Sequence, residues 1–233
     1  MLPLGEAMEF PFRNSRWAYR LGVGGAISAF PIFAFTVLGY AVDLLKSSII
    51  SAPLGLSYFL IWGYAFHVFR AAFYQEAADL IGWENWRDFF SKGFVVFIIE
   101  LSYGLVPFLM MAVGIGVLYQ GGWWLFTGLL LLMTGMLAFL LVGFFFPMGI
   151  AQYIRWKRIE AAFHIPSLWR AIRHVLVEYV SIFLLSLLTL LALGLIATIP
   201  LLGLTLASFL SFYPILVLAR LFGGVCARSG GEA

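Results

Sequence analysis

The chain has 233 residues, of which 63% are hydrophobic and 11% are charged, and its mean hydropathy is +1.01. This composition excludes an ordinary soluble domain and predicts an integral membrane protein with several spans. The isoelectric point of about 9.1 does not indicate nucleic acid here. The basic residues lie beside apolar stretches and among Trp and Phe, so we expect membrane lipids as the anionic partner.

The N-terminal twelve residues lack the features of a removable signal peptide, so we expect the first span to direct insertion. A hydrocarbon core about 30 Å thick requires roughly 20 apolar residues per helix. By this measure the chain is all-α and polytopic, with six transmembrane helices arranged as three hairpins. The predicted spans are residues 21–45, 51–69, 93–118, 123–153, 175–199 and 201–221.

The basic residues predict the orientation. Every Arg, and every Lys except Lys46, lies near the N-terminus, in 70–92, in 153–174 or near the C-terminal end. The opposite face carries an uncharged Gly-Gly turn and the uncharged turn at Pro200. Because cytoplasmic loops are enriched in Lys and Arg, both termini should lie in the cytoplasm.

Two polar segments, 71–92 and 155–174, are too charged to cross the membrane and are predicted to form cytoplasmic amphipathic helices in the interface, broken at Gly82 and at Pro166. The second is more basic and so favours anionic lipids, at about 1 kcal/mol per basic residue. The predicted interfacial and lipid-contacting residues are Trp17, Trp83, Trp86, Arg155, Trp156, Lys157, Arg158, Trp169, Arg170 and Arg173.

The polar segments also suggest an internal repeat within a single membrane domain, 1–233. Residues 10–70, 71–155 and 156–222 each read as an interfacial helix, a descending span and an ascending span. The alternative is that every cytoplasmic helix end attracts Trp and Arg without any repetition. Within the spans, the small-residue patterns from Gly25 to Ala29 and from Ala112 to Gly116 predict close helix packing.

The central part of the chain carries a recognisable series: Gly63, Tyr64, Arg70, the run 83–90 (WENWRDFF), Gly93, Tyr103 and Pro107. The opening adds Phe10-Pro11-Phe12, Trp17 and Gly24-Gly25. Together they resemble the domain of unknown function 4013 family of bacterial and archaeal multi-span membrane proteins. The resemblance implies six spans in the cytoplasmic membrane of a bacterium or archaeon, and it implies no activity. The chain has Leu80-Ile81-Gly82 where that family usually has Leu-Pro.

Glu100 is the main candidate for a functional residue. It lies seven residues after Gly93, about 10 Å into the third span at 1.5 Å per residue. An isolated carboxylate there costs several kcal/mol, so Glu100 should face the other helices and find a partner or stay protonated. His67 and Arg220, near the cytoplasmic ends of outgoing helices, are the candidate partners. Two hypotheses stay open: a proton or substrate site, or a polar contact that fixes helix packing.

Other polar residues give weaker signals. A single imidazole, His67, could ligate a metal or a pigment magnesium. The pairs Glu160/His164 and His174/Glu178 are spaced to share helix faces, and surface ion pairing explains them better than a metal site. The sequence contains no nucleotide-binding loop and no catalytic constellation. We therefore expect no cofactor, no metal and no catalytic residue.

These observations favour a non-enzymatic structural or accessory component that associates laterally with other integral membrane proteins, in a larger complex or a homo-oligomer. The alternative is a transporter or lipid-handling protein that uses a buried polar site around Glu100. Helix-interrupting prolines in four spans suit a transporter, although such kinks are also common in packed membrane helices. These are Pro31, Pro107, Pro147 and Pro214.

Overall fold

The computed structural model describes residues 4–41, 48–76, 80–200 and 202–229, with side chains described outside 34–55. Within those residues it is all-helical and contains no strand, which confirms the predicted class. Short 3-10 helices occupy Phe10–Arg13 and Ile159–Phe163. The α-helices are α1 (Leu4–Glu9), α2 (Trp17–Ala41), α3 (Ser48–Phe73), α4 (Trp86–Leu118), α5 (Trp124–Trp156), α6 (Ile165–His174), α7 (Leu176–Ala197) and α8 (Gly203–Arg228).

Four helices of the described part, α4, α5, α7 and α8, are long and apolar enough to cross a membrane. They match the last four predicted spans to within a few residues, apart from the N-terminal extension of α4 and the C-terminal extension of α8. Helices α2 and α3 have 25 and 26 residues. The structure does not describe the side chains of 34–55, which include the end of α2 and the start of α3. Asp43 and Lys46, at the predicted first outer turn, also lie outside the described residues. The six-span arrangement therefore stays a prediction.

The structure differs from the prediction of interfacial helices in 71–92. Helix α3 continues to Phe73, residues 80–85 form a non-helical connection, and α4 begins at Trp86; Asp79 lies outside the described residues. The reason is that the apolar residues of this segment pack against protein: Leu80, Trp83 and Phe89 are buried. The second segment, 155–174, contains the 3-10 helix and α6. Pro166 lies in the first turn of α6, where its missing N–H costs no hydrogen bond.

The described residues form two compact units. In the first, which comprises residues up to Val96 and from Ala171 onward, α8 packs against α2, α3 and α7. Its core contains Tyr64, Trp83, Phe89 and Phe212. Close packing at Gly25 is confirmed, because a Cβ there would lie 2.8 Å from the Phe209 ring.

Helices α3 and α4 touch through their backbones in this unit. A Cβ added at Gly63 would overlap the carbonyl oxygen of Phe89, and one added at Gly93 would overlap the carbonyl oxygen of Phe59. Only glycine, which has no Cβ, lets two helices approach this closely. The pair fixes where the start of α4 crosses α3.

The second unit, Phe97–Arg170, contains most of α4, all of α5 and the start of α6. Helices α4 and α5 approach closely where a Cβ on Gly128 would lie 2.9 Å from the Gly114 carbonyl oxygen. The turn between them uses Gly121 and Gly122 at positive φ, +68° and +57°, which suits glycine. The packing predicted at Gly116 is not made within the chain, because a Cβ there would meet nothing within 4 Å.

Candidate functional site

His67, near the C-terminal end of α3, interacts with the start of α4. Its Nε2 lies 2.8 Å from Oδ2 of Asp88, within the distance of an ion pair when the imidazole is protonated. The Phe89 ring lies edge-on at 5.3 Å between centroids. Asp88 lies in the first turn of α4, where a carboxylate is also favoured by the helix dipole.

Arg220 is buried in α8, with its guanidinium carbon 4.7 Å from the centroid of the Phe10 ring. A cation over an aromatic face is attracted by the ring quadrupole, more strongly where water is excluded. The buried charge therefore contacts the N-terminal segment, a partner that the sequence did not indicate.

Glu100 lies on α4 in the second unit. Its Oε2 is buried and has no hydrogen-bond partner among the described residues. One turn further along the same face, the Tyr103 hydroxyl donates to the carbonyl oxygen of Ala162 in the 3-10 helix. An unsatisfied buried polar atom costs about 1–3 kcal/mol and is uncommon in native structures. His67 and Arg220 belong to the first unit, so their partnership with Glu100 stays a prediction.

The predicted interfacial residues differ in how exposed they are. Trp83 is 5% exposed, so the structure does not give it the outward position that was expected. The exposed members of the set are Trp17, Trp86, Trp156, Lys157, Arg158, Trp169, Arg170 and Arg173, and Arg155 is half-buried. Their contact with lipid stays a prediction.

Trp83 instead belongs to a network that holds the connection between α3 and α4. Its indole stacks on Tyr64, and its Nε1 donates to the Arg20 carbonyl oxygen at 3.1 Å. Arg20 in turn donates from Nη1 to the Leu80 carbonyl oxygen, and the Tyr64 hydroxyl donates to the Ile81 carbonyl oxygen at 2.8 Å. The side chains of Arg20 and Tyr64 thus satisfy the backbone carbonyls of Leu80 and Ile81, which lie outside any helix.

A polar cavity of about 450 Å³ lies at the C-terminal end of α5, lined by Gln152, Trp156, Arg158, Glu160, Ala161, His164 and Ser167. All of these residues belong to the second unit. Helix α5 ends at Trp156. The next residue, Lys157, has a left-handed conformation (φ 53°) that turns the chain, and its N–H donates to the Tyr153 carbonyl oxygen at 2.8 Å. The sequence analysis did not identify this cavity, because only the turn brings α5, the 3-10 helix and α6 together.

The two acidic residues considered as metal ligands have arginine partners. Glu160 Oε2 lies 3.7 Å from Arg158 Nε, and Glu178 forms a two-pronged pair with Arg228 at 2.6 and 3.2 Å. Over the part of the chain that the structure describes, no group of three or more His, Cys, Asp and Glu side chains could hold a metal ion.

The family described as "Protein of unknown function (DUF4013)" matches residues 47–202, more than half of the chain. The chain belongs to this family. No curated protein and no solved structure matches the chain. The DUF4013 match includes the Tyr64–Trp83 stack, Glu100 and the whole polar cavity. The family description assigns none of them a role.

Proposed function

We propose that this DUF4013 protein is a non-enzymatic component of the membrane that associates laterally with other integral membrane proteins. The observation that carries the proposal is the surface of α7. None of its most apolar stretch of 18 residues is buried within the chain, whereas 56% of the corresponding stretch of α8 is buried. The two buried residues of α7, Tyr179 and Ile182, lie in its N-terminal part.

A glycine on this surface favours a protein helix over lipid as the neighbour. Glycine in a helix costs about 0.5–1 kcal/mol relative to alanine, and in membranes it allows a second helix to approach closely. Gly24, Gly63 and Gly93 each have such a neighbour within the chain. Around Gly194 of α7 a Cβ would meet nothing within 4 Å. The occupant we propose is a helix of another membrane protein, crossing α7 at Gly194.

Site-directed photo-crosslinking tests this proposal. A photoreactive residue at Leu191, one turn before Gly194 and exposed, should yield one defined protein adduct in native membranes. The change Gly194→Leu should abolish that adduct. The matched change Gly143→Leu, on α5 and also in open space, should leave it intact. Two results together would overturn the proposal. The photoreactive residue would crosslink to lipid alone, and the protein would be a solitary monomer in mild detergent with a saturable small-molecule site.

The proposed arrangement has six spans in three hairpins, with α2 and α3 as the first pair. Both termini then lie in the cytoplasm of a bacterium or archaeon, and α6 lies in the membrane interface as an amphipathic helix. The distribution of basic residues supports the orientation. The exposed Tyr119 and Trp123 beside the uncharged Gly-Gly turn support an aromatic boundary on the opposite side.

A second candidate function is transport or lipid handling at Glu100, and the unpartnered, buried Oε2 favours it. Ionisable residues inside membrane spans commonly mark substrate or proton pathways. If this function is correct, Glu100→Gln abolishes solute or lipid movement in reconstituted vesicles. The stability of the variant then stays within about 0.5 kcal/mol of the wild type, the range of a structurally neutral change. A stability change with unaltered movement would assign Glu100 to helix packing instead.

A further inference from the structure

The polar cavity at the end of α5 has hydrogen-bonding groups that the surrounding protein leaves available. Gln152 is 7% exposed, and its Oε1 accepts a hydrogen bond from Trp156 Nε1 at 3.1 Å. An indole N–H can only donate, so this bond fixes the orientation of the amide. The Gln152 NH₂ group is therefore turned away from the indole, and it remains a donor for a ligand.

Two further side chains of the lining can donate to an anion. The Arg158 guanidinium lies 3.7 Å from Glu160 at Nε, too far for a hydrogen bond, and its side chain is 78% exposed, so it can donate to a ligand. The His164 imidazole is exposed at the same cavity. Arginine and amide N–H groups are good donors to phosphate oxygens.

The Glu160 carboxylate lines the same cavity. A simple anion would be repelled by this carboxylate, and a simple cation would be repelled by Arg158. A ligand that carries a phosphate next to a primary ammonium satisfies both. Its phosphate meets Arg158, His164 and Gln152, while its ammonium meets Glu160.

The position of the cavity indicates the source of such a ligand. It begins one helical turn before the end of α5, a helix apolar enough to cross the membrane, which is the depth at which lipid headgroups and interfacial Trp residues lie. Its volume of about 450 Å³ falls within the range of small-ligand sites, ~300–1,000 Å³. We infer that this cavity binds the phosphoethanolamine headgroup of a phospholipid. The inference is independent of lateral association through α7.

Lipid retention by the full-length protein tests the inference. The detergent-solubilised chain is mixed with phosphatidylethanolamine, phosphatidylglycerol or phosphatidylcholine, and bound lipid is counted by native mass spectrometry. We expect phosphatidylethanolamine to be retained about tenfold more strongly than either of the others, a difference of ~1.4 kcal/mol. Phosphatidylcholine lacks N–H donors for Glu160, and phosphatidylglycerol lacks the ammonium. Equal retention of all three lipids overturns the inference.

Variants at the rim separate the two halves of the site. Arg158→Gln should reduce retention of phosphatidylethanolamine about tenfold, whereas Glu160→Gln should remove the preference over phosphatidylglycerol and keep phosphate binding. Both side chains are largely exposed, so neither change should affect folding. Arg87→Gln and Glu84→Gln make the same charge changes at exposed positions outside the cavity lining and should have no effect.

Soluble competitors distinguish a lipid from a free phosphate. Phosphoethanolamine should displace the bound lipid, and inorganic phosphate at the same concentration should not. Full displacement by inorganic phosphate, or unchanged retention in both rim variants, would show that the cavity does not recognise this headgroup.

Discussion

The indole of Trp83 stacks on the phenol ring of Tyr64, with centroids 4.6 Å apart and ring planes 28° from parallel. The two residues come from the connection before α4 and from the middle of α3. Offset aromatic pairs add about 0.5–1.5 kcal/mol beyond the area they bury. The stack, together with its hydrogen bonds to backbone carbonyls, holds an irregular segment of chain in one conformation.

The first prediction concerns the Tyr64 hydroxyl. Tyr64→Phe keeps the stack and removes the donor to the Ile81 carbonyl oxygen, so unfolding in detergent should become easier by about 1 kcal/mol. Tyr119→Phe makes the same change at a residue that is 88% exposed, and it serves as the control. Equal stability of the two variants would show that the Tyr64 hydrogen bond does not stabilise the fold.

The second prediction concerns the crossing of α3 and α4. Gly93→Ala places a methyl group onto the Phe59 carbonyl oxygen, and overpacking of this kind typically costs about 1–3 kcal/mol. Gly116→Ala, in open space on the same helix, should instead be neutral or stabilising by up to about 1 kcal/mol. Thermal unfolding of both variants measures the contrast. A harmless Gly93→Ala would contradict the backbone contact.

The third prediction concerns Glu178 at the start of α7 and Arg228 at the end of α8. Their side chains are each about one-third exposed and form two contacts, at 2.6 and 3.2 Å. A double-mutant cycle with Glu178→Gln and Arg228→Gln should give a coupling of about 1 kcal/mol at low salt, which becomes smaller as salt screens the pair. Strictly additive single variants would show that the two charges do not interact.

The fourth prediction concerns topology. The buried Cys226 is first replaced by Ser, and single cysteines are then introduced at Arg170 and Tyr119. An impermeant thiol reagent should label Arg170→Cys only from the cytoplasmic side and Tyr119→Cys only from the opposite side. If both positions react from one side, the proposed path of α5 across the membrane is wrong.

The sequence predicted the helical class and the last four spans because apolar length is a property of each segment alone. It did not predict the position of Trp83. The apolar face of the segment 71–92 has the same spacing whether it meets a membrane surface or Tyr64 and Phe212 in a protein core. Burial of that face depends on where α2, α3 and α8 lie, and hydrophobic spacing within a single segment does not contain this information.

The polar partners were missed for a related reason. The sequence did identify Glu100 and His67 as candidates, because an ionisable residue within a long apolar stretch is easy to recognise. The contact between His67 and Asp88 depends on the angle between α3 and α4, which the two glycines at their crossing determine. The cavity at the end of α5 depends on the left-handed conformation of Lys157. The sequence does not indicate this conformation, because the residue is not a glycine.

The packing of α8 against α2 and α3 has a consequence for biosynthesis. Ribosomes produce the chain from the N-terminus, so the surfaces around Gly24 and Tyr64 are synthesised well before Phe212, which packs against both. Until α8 is synthesised, these early helices lack the helix against which they pack. The first unit therefore completes its folding only after translation of its last helix.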